Sequence, residues 1–212
     1  MFIEKPFFQK INQISDWILR LVIINTLVII TILPVITLFL GLSTGYNTLR
    51  DLWKKQEKGL FRTYFNHLKH RTFYKILLGI LIGMIISIGY LNMTYYVDLI
   101  EDAPNLFYQA GYYITLFFVV MMLAVSLYLL PIAYFKPDLG MKASIKLSFY
   151  IAGKYILRTM FMLLTPAVLL LLLLTSFTSM IFVLFGVSGW LMVMAIITDR
   201  VVDDVKEMKF ND

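Results

Sequence analysis

The chain contains no cysteine and only two histidines, and four long stretches of it carry no charge at all. Without cysteine there is no disulfide, no thiolate metal site and no cysteine nucleophile, and the redox compartment is left open. His67 and His70 stand three apart beside Lys69 and Arg71. Two ligands do not close a zinc site, and the neighbouring cations repel a metal. No Ser-His-Asp set shares a common depth, no glycine-rich phosphate cradle appears, and no glutamate flanks the histidines as in a metalloprotease helix. The reading is a protein that is not an enzyme, with no catalytic residue, no metal and no cofactor.

What is present is apolar. Hydrophobic residues make up 60% of the chain and the mean hydropathy is +0.80, well beyond the roughly 45 to 50% of ordinary soluble domains. The charge-free runs are Leu21 to Leu49, Ile76 to Val97, Ala103 to Phe135 and Thr159 to Thr198, and each exceeds the ~20 residues a helix needs to cross hydrocarbon. The last run is roughly 40 residues, about 60 Å as one helix, so it must turn back once. Thr175 to Ser179 is the best place, because hydroxyls can satisfy freed backbone groups.

The expected fold class is therefore all-α, a polytopic transmembrane helical bundle of about five spans with amphipathic interfacial helices, in a single membrane domain over 1–212. The spans are expected near 21–42, 76–96, 108–135, 156–175 and 180–198, after an amphipathic helix over 1–20 in which Ile3, Phe7, Phe8, Ile11, Ile14 and Ile18 recur at helical spacing. Pro34 is expected to kink the first span. No small-residue cleavage site follows the first apolar run, so that run reads as a retained span. Asn25 reads as a hydrogen bond to a neighbouring helix, and Ser87, Asn92, Thr115 and Ser126 as packing glue.

Charge sets the orientation. Arg50 to Lys75 holds eight Lys and Arg against Asp51 and Glu57, and Lys136 to Arg158 holds five against Asp138. Both read as cytoplasmic. The connection with Asp98, Glu101 and Asp102 has no base and reads as external, without the fixed spacing of a calcium loop. With five spans, the amino terminus falls outside and the tail, 199–212, inside the plasma membrane. The net charge of +6 sits where insertion bias and anionic lipid account for it, so no nucleic acid is implied. In the basic segment Leu60, Phe61, Tyr64, Phe65 and Leu68 form one helical stripe and Arg62, Asn66 and Lys69 another. The candidate contact residues for lipid or a partner are Phe61, Arg62, Phe65, Lys69, Lys142 and Lys146. The tail residues Val201, Val202, Val205 and Met208 share a face, which would pack under the basic loops. A run of span, proline (Pro34, Pro131), basic segment and outward span occurs twice and suggests a parallel repeat.

Leu33 to Thr37, the Gly-rich turn after it, and above all Lys58-Gly59-Leu60-Phe61-Arg62-Thr63-Tyr64-Phe65 carry a likeness to a known family. In these the chain resembles the YesL-like family of small bacterial membrane proteins of unknown function, over nearly its whole length. The family has no established binding residues to carry over. Its members are often encoded beside sugar-uptake genes, so the resemblance implies an accessory or regulatory partner in carbohydrate uptake, meeting sugar-transport components or a cytoplasmic regulator. The alternative is a small-solute transporter or channel acting alone as a homo-oligomer.

Overall fold

A computed structural model describes residues 6–56, 59–103, 105–171 and 173–207, and among them there is no strand. The helices are α1 (Pro6–Ile32), α2 (Leu38–Trp53), α3 (Leu60–Lys69), α4 (Thr72–Asp102), α5 (Leu106–Phe135), α6 (Met141–Lys154), α7 (Ile156–Leu171), α8 (Ser176–Ile181) and α9 (Val187–Glu207). A single 3-10 turn over Val35–Thr37 precedes α2, and a π-helical turn over Phe182–Gly186 joins α8 to α9. The protein is an all-α helical bundle. By length and apolarity α1 (from Phe8), α4, α5 and Thr178–Asp199 can each cross a membrane, and α6 with α7, bent by 102° between them, makes up to a fifth. These features are those of a multi-pass membrane protein.

The architecture is three helical hairpins rooted at one end. α1 turns back into α2, α4 into α5, and α7 into α8 and α9, while the short α3 and α6 connect one hairpin to the next. The shared root is marked by contacts between elements far apart in sequence: Trp17 packs edge-on against Trp53 with ring centroids 6.3 Å apart. There too Arg50 pairs with Asp199 at 2.8 Å, and Tyr74 donates to Ser144 at 2.9 Å.

The first hairpin corrects the expectation of one kinked crossing over 21–42. Pro34 has no N–H to donate and disfavours helix at Leu33. The chain therefore reverses instead of bending. Thr37 closes the turn, its hydroxyl donating to the Thr31 carbonyl and its amide to the Pro34 carbonyl at 2.8 Å. Gly45 then lies on Val28, and Ile32 on Gly41, an antiparallel register. With α1 and α2 folded back on each other, the amino end of α1 lies with the end of α9 at the root of the bundle, where Arg50 of α2 meets Asp199. The expected repeat fails for the same reason: Pro34 sits in a reversal, whereas Pro131 lies inside an unbroken α5.

The turn of the first hairpin rests on Gly79, whose position faces Phe39 and the Ile36 carbonyl. α4 runs on from Gly83 to Asp102, a further ~28 Å at 1.5 Å per residue. The second hairpin thus stands well beyond the first. It is drawn tight by small residues, Gly89 lying under Val119 and Gly111 under Tyr96. The third hairpin turns at Leu173 to Thr175, at the head of the expected hydroxyl run, and the Thr175 side chain caps α8 by accepting from the Thr178 amide at 3.3 Å. Of the first stripe, Phe8, Ile11, Ile14 and Ile18 are exposed along α1. Ile3 and Met208 lie outside the described residues.

α2 is the axis of the bundle. Phe39, Leu40, Gly41 and every residue from Ser43 to Arg50 are buried. Its neighbours approach from all sides: α1 and α9 at Gly45, α4 at Phe39, α5 at Arg50 and α3 at Asp51. The glycines admit the closest of these, α1 at Gly41 and Gly45 and α9 at Gly45. A Cβ at Gly45 would stand 2.6 Å from Val28 and 2.8 Å from Leu191. Gly45→Leu is therefore expected to destabilise the detergent-solubilised protein by about 2–3 kcal/mol through overpacking, read as a lower melting temperature. Gly153→Leu, where a Cβ meets nothing within 4 Å, should leave it unchanged.

Candidate functional site

The polar chemistry of the protein collects at the root, around the last turn of α2. Arg50, 3% exposed, is the centre. Its guanidinium lies 4.1 Å over the Phe135 ring, its Nη2 donates to Asp199 Oδ1 at 2.8 Å, and its Nη1 reaches the Tyr46 hydroxyl at 3.4 Å. A relay continues upward from there. The Thr198 hydroxyl donates to the Met194 carbonyl at 2.8 Å, so its 2.7 Å contact with Tyr46 must use the Tyr46 proton. Lys54 donates to the other oxygen of Asp199 at 2.9 Å.

The neighbouring residue heads a second set. Asp51 accepts from the Tyr134 hydroxyl on one oxygen, and its other oxygen lies 2.7 Å from His67 Nε2. Lys75, 2% exposed, donates to the His67 carbonyl at 2.7 Å. Asp199 thus ties α9 to the end of α2 through Arg50 and Lys54, and Asp51 ties that end to α3 and α5. Burying charges this way requires pairing and hydrogen bonding, and here both carboxylates have them. Among the described residues no set of three metal-capable side chains converges. His70 stays apart from the cluster; burial, and then the charges of Lys75 and Arg71, hold its imidazole below the ordinary value.

Two further polar features lie higher in the bundle. Asn25 spans to α9, its Nδ2 donating to the Val183 carbonyl at 2.5 Å and its Oδ1 accepting from the Ser188 amide at 2.8 Å. These are groups that the π turn takes out of the regular helical ladder. On α2, Ser43 Oγ, Thr44 Oγ1 and Asn47 Oδ1 are buried without a hydrogen-bond partner. Thr115 and Ser126 bond within their own helix, to the Gly111 and Leu123 carbonyls, and glue nothing together.

The residues singled out from sequence fall elsewhere. Phe61 and Phe65, 55% and 46% exposed, and Arg62 and Lys69 lie on the outer face of α3, while Lys142 and Lys146 are exposed on α6. They face away from the cluster. Tyr64, from the same stripe as Phe61, points inward instead, its hydroxyl donating to the Leu27 carbonyl at 3.0 Å. Sequence reasoning reads Arg50, Asp51 and Lys75 only as loop charges and misses that they meet Tyr134 and Asp199 in one cluster. The available signal was position: Arg50, Tyr134 and Asp199 each stand within one residue of the edge of a charge-free run, where polar groups of different helices meet at one depth. The tail does meet a basic segment, but through Asp199. Compared with known proteins, the chain matches no family model, no curated protein and no solved structure.

Proposed function

We propose that the protein is a multi-pass protein of a bacterial plasma membrane that acts as an accessory or regulatory partner in carbohydrate uptake, with the root of the bundle in the cytoplasm. The observation that carries the accessory role is the aromatic and cationic surface at the root. Phe61, Arg62, Phe65 and Lys69 on α3, with Lys142 and Lys146 on α6, are all exposed there. The orientation follows from the excess of Lys and Arg in the two segments at that end. On this reading the amino end of α1 is cytoplasmic as well. The carbohydrate setting and the plasma membrane rest on the resemblance to the YesL-like family.

A photo-crosslinking side chain placed at Arg62 or Lys69 in native membranes tests it. The expected product is a sugar-transporter subunit or a cytoplasmic regulator, identified by mass spectrometry. Adducts only to lipid or to a second copy would sink the accessory role. They would favour the second reading, a small-solute transporter or channel acting as an oligomer, to which the unpartnered Ser43, Thr44 and Asn47 oxygens inside α2 point. Solute flux into liposomes holding the protein alone then decides.

A further inference from the structure

Between α7 and α9 runs an apolar groove of about 470 Å³ whose walls include Phe161, Leu164, Val168, Phe185 and Trp190. The π turn over Phe182–Gly186 supplies Phe185 and Gly186 to its wall. Its one polar floor group is already engaged, the Thr165 hydroxyl accepting from the Trp190 indole at 3.0 Å. Gly189 lines it too, and a Cβ there would meet nothing within 4 Å. From Phe161 to Val168 the wall rises ~10 Å away from the root.

At the root end of the same α7 face, three and seven residues before Phe161 and Thr165, stands Arg158. Its guanidinium lies 5.1 Å from the Tyr155 ring centroid, and its Nη1 is buried without a hydrogen-bond partner. No carboxylate among the described residues pairs with it. A half-buried cation with no counter-charge, at the foot of an apolar channel that runs along the helix axis, has the polarity of one leaflet lipid: anion at the interface, hydrocarbon above it.

We infer that this groove seats one anionic phospholipid, with its phosphate on Arg158 and an acyl chain along the wall up to Val168. A free phosphate would leave the apolar wall uncovered, and a zwitterionic lipid would bring its own cation to the guanidinium.

Native mass spectrometry of the purified protein, in micelles holding equal phosphatidylglycerol and phosphatidylcholine, tests this. One phosphatidylglycerol is expected to stay bound, in preference to phosphatidylcholine and without competition from inorganic phosphate. Arg158→Gln should lower phosphatidylglycerol retention about tenfold, the loss of one charge-assisted contact, and leave phosphatidylcholine unchanged. Gly189→Leu fills the groove and should abolish retention of both, with Gly189→Ala and helical circular dichroism as controls on folding. Undiminished phosphatidylglycerol in a folded Gly189→Leu protein overturns the groove as its seat. Equal retention of the two lipids, or displacement by inorganic phosphate, overturns the paired headgroup and acyl-chain recognition.

Discussion

Asp199→Ala is expected to destabilise the protein by about 3 kcal/mol. The substitution removes the only carboxylate among the described residues that reaches Arg50, whose side chain is 4% exposed, and leaves a guanidinium in the bundle interior with a ring face and a 3.4 Å hydroxyl contact. Stranding one partner of a buried pair costs ~3–5 kcal/mol. The lower end applies, because the Asp199 side chain is 37% exposed and water can partly replace it. The Lys54 contact adds little, since at 41% exposure that ammonium is already solvated. The measurement is the unfolding midpoint in a denaturing-detergent titration. Arg50→Met alone should also destabilise, but the double variant Arg50→Met/Asp199→Ala should recover part of the loss, because an apolar side chain carries no desolvation cost. A single Asp199→Ala variant as stable as the native protein would show that Arg50 is not held by this pair.

Asn25→Leu is expected to have an effect of similar size for a different reason. Leucine keeps the volume but orphans the Val183 carbonyl and the Ser188 amide, each worth ~1–3 kcal/mol when buried without a partner. The sum is about 2–6 kcal/mol, and the damage should be local to the π turn. Hydrogen exchange is the sensitive readout: amides of 182–188 should lose protection before those of α4 or α5. Thr26→Val is the control, since Thr26 bonds only back to the Val22 carbonyl of its own helix. Equal protection in Asn25→Leu would mean that the π turn holds itself.

Much of the fold could be read from the chain. α4 and α5 follow directly from two charge-free runs separated by acids, and the break in the last run falls at the expected hydroxyls. The first hairpin could not be read in the same way. Hydropathy treats Leu21 to Leu49 as one apolar run, and a proline inside such a run is compatible with either a kink or a reversal. Ser43, Thr44, Gly45 and Asn47 look like a turn leading to a loop, since each favours turns by propensity. Tertiary context overrides that preference, because the centre of a crowded bundle needs small side chains more than strong helix formers. The candidate contact residues on α3 are exposed, as an amphipathic stripe suggests. A stripe does not tell which of its members turns inward, however, and Tyr64 does so because its hydroxyl finds a backbone carbonyl. The ionic cluster stayed invisible because its members lie far apart along the chain and only the rooting of three hairpins at one end brings them to one depth.

The central position of α2 also sets an order of events during synthesis. Its outer neighbours are made both before and after it, and the bonds that close the last side of its sheath join Tyr46 to Thr198, 152 residues on, and Arg50 to Asp199, 149 residues on. Until α9 leaves the ribosome, a helix rich in glycine and hydroxyls has one flank open to lipid or to the insertion machinery. Maturation therefore ends, as well as begins, with the first hairpin. A nascent chain stopped before α9 would present that flank as its mark of incompleteness, a ready handle for membrane proteases that clear unfinished proteins.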